Sequence, residues 1–168
     1  MAGLTPPRPL AADNDRSVSD CGRELLNLWF RRRAWDNRLS GVSRTSVVYD
    51  PASGAVVGYV SLSAARIERA FLPKAAQRKR PDPIPALPLG QLAVDRRHHG
   101  KGYARSLLFF ALKTATRLSD DIGCFGVLTH PLDDGVRAFY GRFGFVTLPF
   151  DPRRSMIVRI ADLKHNGF

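Results

Sequence analysis

Leu89 to Leu118, LGQLAVDRRHHGKGYARSLLFFALKTATRL, is the stretch whose reading decides the fold. It opens on a short apolar run, Leu89 to Val94, that reads as a strand. A basic turn from Asp95 to Gly102 follows, and then a long helix. The helix rests on period: Ala104, Leu107, Leu108, Ala111, Leu112, Ala115 and Leu118 make one continuous apolar stripe at helical spacing. Arg97-His98-His99-Gly100-Lys101-Gly102 has the form R-x-x-G-x-G. The first amides of a helix have no intrahelical partner, and the macrodipole adds partial positive charge there. Gly100 and Gly102 let the chain bend and bring several N–H groups toward an anion, for which a pyrophosphate is the natural guest. Alone, the pattern reads as an ordinary βα turn punctuated by glycine; a matching unit downstream makes the difference.

That second unit begins at Cys124 to Thr129, read as a buried strand. Asp133-Asp134 start a helix whose apolar face is Val136, Phe139, Tyr140 and Phe143, and Gly144 closes it. Phe145 to Leu148 and Met156 to Ile160 read as further strands. Strand–turn–helix followed by strand–helix implies two parallel strands joined by a right-handed crossover.

Upstream, Thr45 to Tyr49 and Ala55 to Leu62 are β-rich runs joined by Asp50-Pro51-Ala52-Ser53-Gly54, good chemistry for a hairpin turn. Asp20 is a candidate cap for a helix with Leu25, Leu28 and Trp29 on its apolar face. Residues 1 to 19 are polar and proline-bearing, with room for a short edge strand. Between Ala64 and Pro88 a short helix gives way to a proline-rich segment (Pro81, Pro83, Pro85, Pro88) that reads as extended loop.

Length and composition fit one domain, residues 1 to 168, with a real core. No apolar run is long enough to cross a bilayer, and the N-terminus lacks the apolar core of a signal peptide. Cys21 and Cys124 match no metal-ligand or redox spacing, so a cytoplasmic protein with free thiols and no metal is the expectation. The charge is unusual: 26 Lys plus Arg against 15 Asp plus Glu, a net +11. Such a field draws polyanions and repels cations, which favours nucleic acid, acidic membranes or a phosphate-rich cofactor and disfavours polyamines and aminoglycosides as substrates. Arg31, Arg32 and Arg33 form either a solvated helix end or a surface for phosphates or an acidic partner segment. Arg78, Lys79 and Arg80 form either a substrate-side lip or a solvated loop.

The strand LGQLAV, the Arg97-x-x-Gly100-x-Gly102 turn, the long helix, and Ala138-Phe139-Tyr140 with Gly144-Phe145 together resemble the GNAT N-acetyltransferases. The resemblance implies an α/β (α+β) fold with a central mixed, twisted sheet of about six to seven strands, a parallel central pair and about four flanking helices. It implies acetyl-CoA as cofactor, with its pantetheine along the main chain of Leu92, Ala93 and Val94. The pyrophosphate would lie on the segment Arg97, His98, His99, Gly100, Lys101, Gly102, Tyr103 and Ala104, and Phe139 would adjoin the cofactor. Tyr140 would be the general acid that protonates the departing thiolate; on spacing alone it reads as a core aromatic.

A narrower likeness, through Trp29-Phe30-Arg31-Arg32-Arg33-Ala34, Ser43-Arg44-Thr45 and Leu92-Ala93-Val94-Asp95, is to the TacT/AtaT-type toxins. It implies acetylation of aminoacyl-tRNA and arrest of translation. It also implies neutralisation by a ribbon-helix-helix antitoxin, and pairing into a homodimer. Those toxins often carry a basic residue where this chain has Gln91. The acceptor fits the lack of an evident general base. A lysine amine near about 10.4 needs deprotonation, whereas an α-amine near ~7.7 to 8.0 is already partly neutral and needs chiefly positioning. Protein N-terminal or lysine acetylation shares every cofactor residue, and a non-catalytic basic nucleic-acid-binding or antitoxin-partner protein shares the charge; these remain the alternatives.

Overall fold

The computed structural model describes residues 3–168; Met1 and Ala2 lie outside the described residues. By contacts the chain divides into two compact units. One runs through Ser63 and takes up Gly90–Ala111, and the other comprises Ala64–Leu89 and Leu112–Phe168.

The first unit begins with a two-residue edge strand, β1 (Arg8–Pro9), then α1 (Glu24–Arg32) and α2 (Ala34–Leu39). Glu24 in the first turn and Arg31 and Arg32 in the last suit the α1 dipole. Arg33, at φ −118°, ends α1 and opens α2. β2 (Arg44–Tyr49) and β3 (Val56–Leu62) form the expected hairpin, with β1 antiparallel to β2 on its other side. β3 is buried along nearly its whole length, the burial pattern of a strand covered on both faces. Tyr59 at its centre stacks on Phe30 at 4.0 Å and donates its hydroxyl to the Leu26 carbonyl at 3.0 Å. Around it gather Leu10, Cys21, Ala34, Val47, Val56 and Ala93. Gly58 allows the closest approach: a Cβ there would stand 2.9 Å from Leu107 Cδ1 and 3.2 Å from the Ala93 carbonyl.

The second unit holds β4 (Ala65–Ile67), a 3-10 turn at Arg69–Phe71 and the one-turn α3 (Lys74–Gln77). The strand β5 (Ile84–Val94) starts in this unit and ends in the first, as does the sequence stripe helix α4 (Tyr103–Leu118) in the opposite sense. Beyond α4 come β6 (Gly126–Thr129), α5 (Asp134–Gly141), β7 (Val146–Thr147), β8 (Met156–Arg159) and α6 (Ile160–His165). Leu107, Leu108, Ala111, Leu112 and Ala115 of the α4 stripe are buried, as its period requires. The hydrogen-bonded strand order is β1-β2-β3-β5-β6-β8-β7, with β4 paired to β5 off that path. β5 and β6 are the parallel pair, in register at Leu87↔Val127 and Pro88↔Leu128. The core of this unit is Ile67, Leu72, Ile84, Ala86, Leu128, Leu148 and Ile157.

The expected mixed α/β fold is present, with eight strands in the sheet where about six to seven were expected and six α-helices among the described residues where about four were. Three other expectations are corrected. The proline-rich segment is not all loop: β5 begins at Ile84 and runs through Pro85 and Pro88. A proline removes one ladder donor but keeps its carbonyl, and the Pro85 carbonyl accepts from Phe125 N–H at 2.9 Å. Asp20 does not cap α1, whose N-cap position is Arg23; its Oδ1 accepts instead from Gly22 N–H and the Asn27 amide. The final strand stops at Arg159 and Ile160 opens a helix, held by Arg159–Asp162 bonds at 2.7 and 2.8 Å. No described helix is long and apolar enough to cross a membrane.

Candidate active site

The R-x-x-G-x-G turn lies in the first unit and is organised from one residue before it. Asp95, 2% exposed, accepts on Oδ1 from the Arg97 amide and Nε, both at 2.9 Å, and on Oδ2 from Arg97 Nη2 at 3.0 Å. The same Oδ2 accepts from Asp20 N–H at 3.1 Å. The Arg97 guanidinium, with these amides, holds the Asp95 carboxyl well below the usual carboxylate range. Arg96 is bonded to the Asp20 carboxylate, and its own amide donates to the Asp20 carbonyl at 2.8 Å. Asp95 and Asp20 thus fix where the turn leaves β5.

Past that anchor the turn opens. Gly100 and Gly102 take φ of +73° and +85°, the left-handed region that favours glycine. A Cβ built at either meets no heavy atom within 4 Å, so torsion and not crowding selects glycine here. Lys101 between them is exposed. His99 donates Nε2–H to the Val94 carbonyl at 2.7 Å, which ties the turn back onto β5. His98 packs edge-on to Tyr103, ring centroids 6.1 Å apart, with Nδ1 3.9 Å from the Asp95 carboxylate. The side chain of Arg97 is committed to Asp95, so the uncommitted side-chain cation within the motif is Lys101. Ala93 and Val94 are buried, Leu92 is half-buried, and Tyr103 and Ala104 form the half-buried start of α4.

Tyr140 belongs to the second unit. Asp133 caps its helix, α5, with Oδ1 accepting from Val136 N–H at 2.8 Å. The phenol is 5% exposed and flanked by Phe139 and Phe145, ring centroids at 5.4 and 5.2 Å. Thr129, the last residue of β6, donates its hydroxyl to the Leu89 carbonyl at 3.5 Å and interacts electrostatically with the phenol. Burial pushes the phenol up from its ordinary value, partly countered by Thr129. Next to Thr129, the His130 ring takes a 2.7 Å hydrogen bond between Nδ1 and Ser155 Oγ; burial and the Arg153 charge favour its neutral form.

The basic residues singled out from sequence divide by environment. Arg32 and Arg33 are exposed, whereas Arg31 donates Nη2–H to the Ser19 carbonyl at 2.8 Å. In the other unit Arg78 and Lys79 are exposed. Arg80 is occupied internally: its Nε donates to the Ala76 carbonyl at 2.7 Å and its guanidinium lies 4.5 Å from the Phe125 ring centroid. Sequence reasoning missed Thr129 and the structural use of Asp95 and Asp20. Asp95 had a signal in its place immediately before the basic turn; Thr129 had none beyond ending a strand.

The profile of the acetyltransferase (GNAT) family matches residues 15–145. A tRNA-acetylating toxin of Mycobacterium tuberculosis is 35% identical over 158 residues, 94% of either chain. A probable toxin TacT of Sinorhizobium fredii is 30% identical, over 90% of this chain and 88% of its own. Among solved structures, AtaT complexed with acetyl-methionyl-tRNAfMet superposes with a TM-score of 0.90 at 28% identity, over 99% of this chain and 100% of that one. AtaTR bound with AcCoA does so at 0.86 and 28%, over 100% of both chains. With a profile match over most of its length and a relative aligned over nearly all of it, the chain belongs to the acetyltransferase (GNAT) family.

Proposed function

We propose that the chain is an acetyl-CoA-dependent N-acetyltransferase whose acceptor is the α-amino group of an aminoacyl-tRNA, and that it acts as a toxin by taking that tRNA out of translation. The observation that carries the chemistry is the buried Tyr140 phenol, whose neutral form burial favours. The likeness to the M. tuberculosis tRNA-acetylating toxin and to AtaT with acetyl-methionyl-tRNAfMet supports the acceptor.

The residues of the turn suit a diphosphate: left-handed glycines with open space above them, the first amides of α4, and the exposed Lys101. Main-chain groups of Leu92, Ala93 and Val94 would hold the pantetheine. Bound acetyl-CoA supplies the acetyl group as a thioester: a C–N bond forms to the amine, the C–S bond breaks and CoA departs as a thiolate. Tyr140 gives its phenolic proton to that sulfur and regains one from the amine nitrogen through solvent, so protons balance over the cycle. An N–H of the Leu92–Val94 segment stabilises the oxyanion. The net charge of +11, with Arg32, Arg33, Arg78 and Lys79 exposed, serves to hold tRNA phosphates. We further infer that both units work as one catalytic domain in the cytoplasm, that the chain pairs with a second copy, and that a ribbon-helix-helix antitoxin neutralises it.

Tyr140→Phe tests the reading. Acetylation of charged tRNA should fall at least ~100-fold, the usual weight of a positioned acid, with acetyl-CoA affinity retained and growth arrest on expression lifted. An undiminished rate would remove Tyr140 from the chemistry. Acetylation by the unaltered protein of a ribosomal protein panel, with charged tRNA untouched, would transfer the proposal to a protein acceptor.

A further inference from the structure

Away from the turn and Tyr140, the first unit contains a hollow of about 340 Å³ lined by Asn14, Asp15, Arg16, Ser17 and Arg31. Its floor is rigid. Asn14 Oδ1 accepts from Ala11 N–H at 2.9 Å, and Asp15 bridges to Ala55 beside the β2–β3 turn, its amide donating to the Gly54 carbonyl at 3.0 Å. The Asp15 carboxylate is satisfied locally: Oδ1 accepts from the Ser17 amide at 2.9 Å and hydroxyl at 2.6 Å. Arg31 is held at the edge by its bond to the Ser19 carbonyl.

Arg16 is different. Its guanidinium lies over Trp35, 5.9 Å from the ring centroid, and Nε and Nη1 are both withdrawn from solvent with no hydrogen-bond acceptor. A guanidinium stays charged at any physiological pH, so desolvated N–H groups on it call for an anionic oxygen. The neighbouring carboxylate does not serve, because it is turned to Ser17. Two arginines against one aspartate leave the hollow with an excess of one positive charge. Its volume sits at the lower end of the range for ligand clefts, about 300–1,000 Å³, and exceeds what a bare ion needs.

We propose that this hollow is a nucleotide subsite for the tRNA, taking one phosphodiester with its ribose, the phosphate on Arg16 and Arg31 and the sugar beside Asn14 and Ser17. The inference rests on the aminoacyl-tRNA reading above. RNA is favoured over an acidic peptide because the hollow is a single open point contact that takes one anionic group, not a groove for extended chain. The exposed Arg32 and Arg33 follow Arg31 directly and give continuing phosphates further cations. Such a contact fixes register without reading bases.

The test uses the full chain and total aminoacylated bacterial tRNA as probe. Binding is titrated over a series of salt concentrations for the unaltered protein, Arg16→Gln and Arg31→Gln; Arg31 is exposed, so its replacement spares the fold. Each variant should weaken tRNA binding about 10-fold and lower the salt slope by about one, the mark of one lost phosphate contact, with acetyl-CoA affinity unchanged. Arg16→Lys, keeping charge without the planar fork, should recover part of the slope. Unchanged slopes in variants of a protein that acetylates tRNA would overturn the subsite alone. Loss of antitoxin binding with tRNA binding intact would overturn it in favour of an acidic peptide. A protein that neither binds nor acetylates tRNA before any substitution would overturn the parent reading, and the subsite with it.

Discussion

At the scale of single residues, Asp95 and Tyr140 use burial in opposite ways. The Asp95 carboxylate is buried but accepts four hydrogen bonds, two of them from the Arg97 guanidinium, so its charged form is favoured. Tyr140 is buried in apolar surroundings, so its neutral form is favoured. The Asp95 shift carries a stability consequence whose sign follows from linkage. A carboxyl depressed in the folded state adds stability that is complete above the unfolded value, about 3.9, and is lost as pH falls toward the folded one. Asp95→Asn should therefore cost about 2 kcal/mol at pH 7, the scale of hydrogen bonds to a charged group. The gap to the unaltered protein should narrow below about pH 4. Urea unfolding midpoints at pH 7, 4 and 3 check this; a gap independent of pH would mean that Asp95 is not depressed.

At the scale of elements, local pattern and local torsion were readable, and pairing that depends on distant chain was not. The α4 stripe was visible because its positions recur every three or four residues, and the two glycines because left-handed backbone excludes most side chains. Gly102→Ala should raise the strain of the turn, on the order of 1 kcal/mol, and widen it. Acetyl-CoA affinity should then fall several-fold in calorimetry while the unfolding temperature moves by only a few degrees; equal affinity would show that the turn does not hold the diphosphate. β5 shows the converse. Pro85 and Pro88 speak against a strand from sequence, yet both lie in it, because β4 is only three residues long and pairs on one side, and the proline carbonyls remain usable acceptors. Asp20 looked like a cap because it stands before a helical pattern, but Arg96 and Asn27 compete successfully for its carboxylate.

For the molecule as a whole, the net charge of +11 predicts how a polyanionic substrate is held. If about six phosphates are neutralised, tRNA affinity should fall by about three orders of magnitude between 50 and 200 mM salt. Acetyl-CoA affinity, resting on far fewer charges, should change much less. Parallel titrations decide it, and a flat tRNA response would mean that the arginine excess serves something other than phosphate binding.

The sequence by itself determined the long helix, the left-handed turn before it, the helix start at Asp133-Asp134 and the sign of the surface field. Each of these depends on side-chain type and spacing within a few residues, or on composition alone. Only tertiary structure decided what the polar side chains do. Asp95 meets an amide 75 positions away and Thr129 a carbonyl 40 positions away. Arg80 is spent on Phe125 and Ala76, while Arg16, unremarked in the sequence, keeps two buried nitrogens without an acceptor. A charged group's role is set by which partners the fold brings within about 3 Å, and by how much water it leaves them. Neither quantity is written in the order of residues.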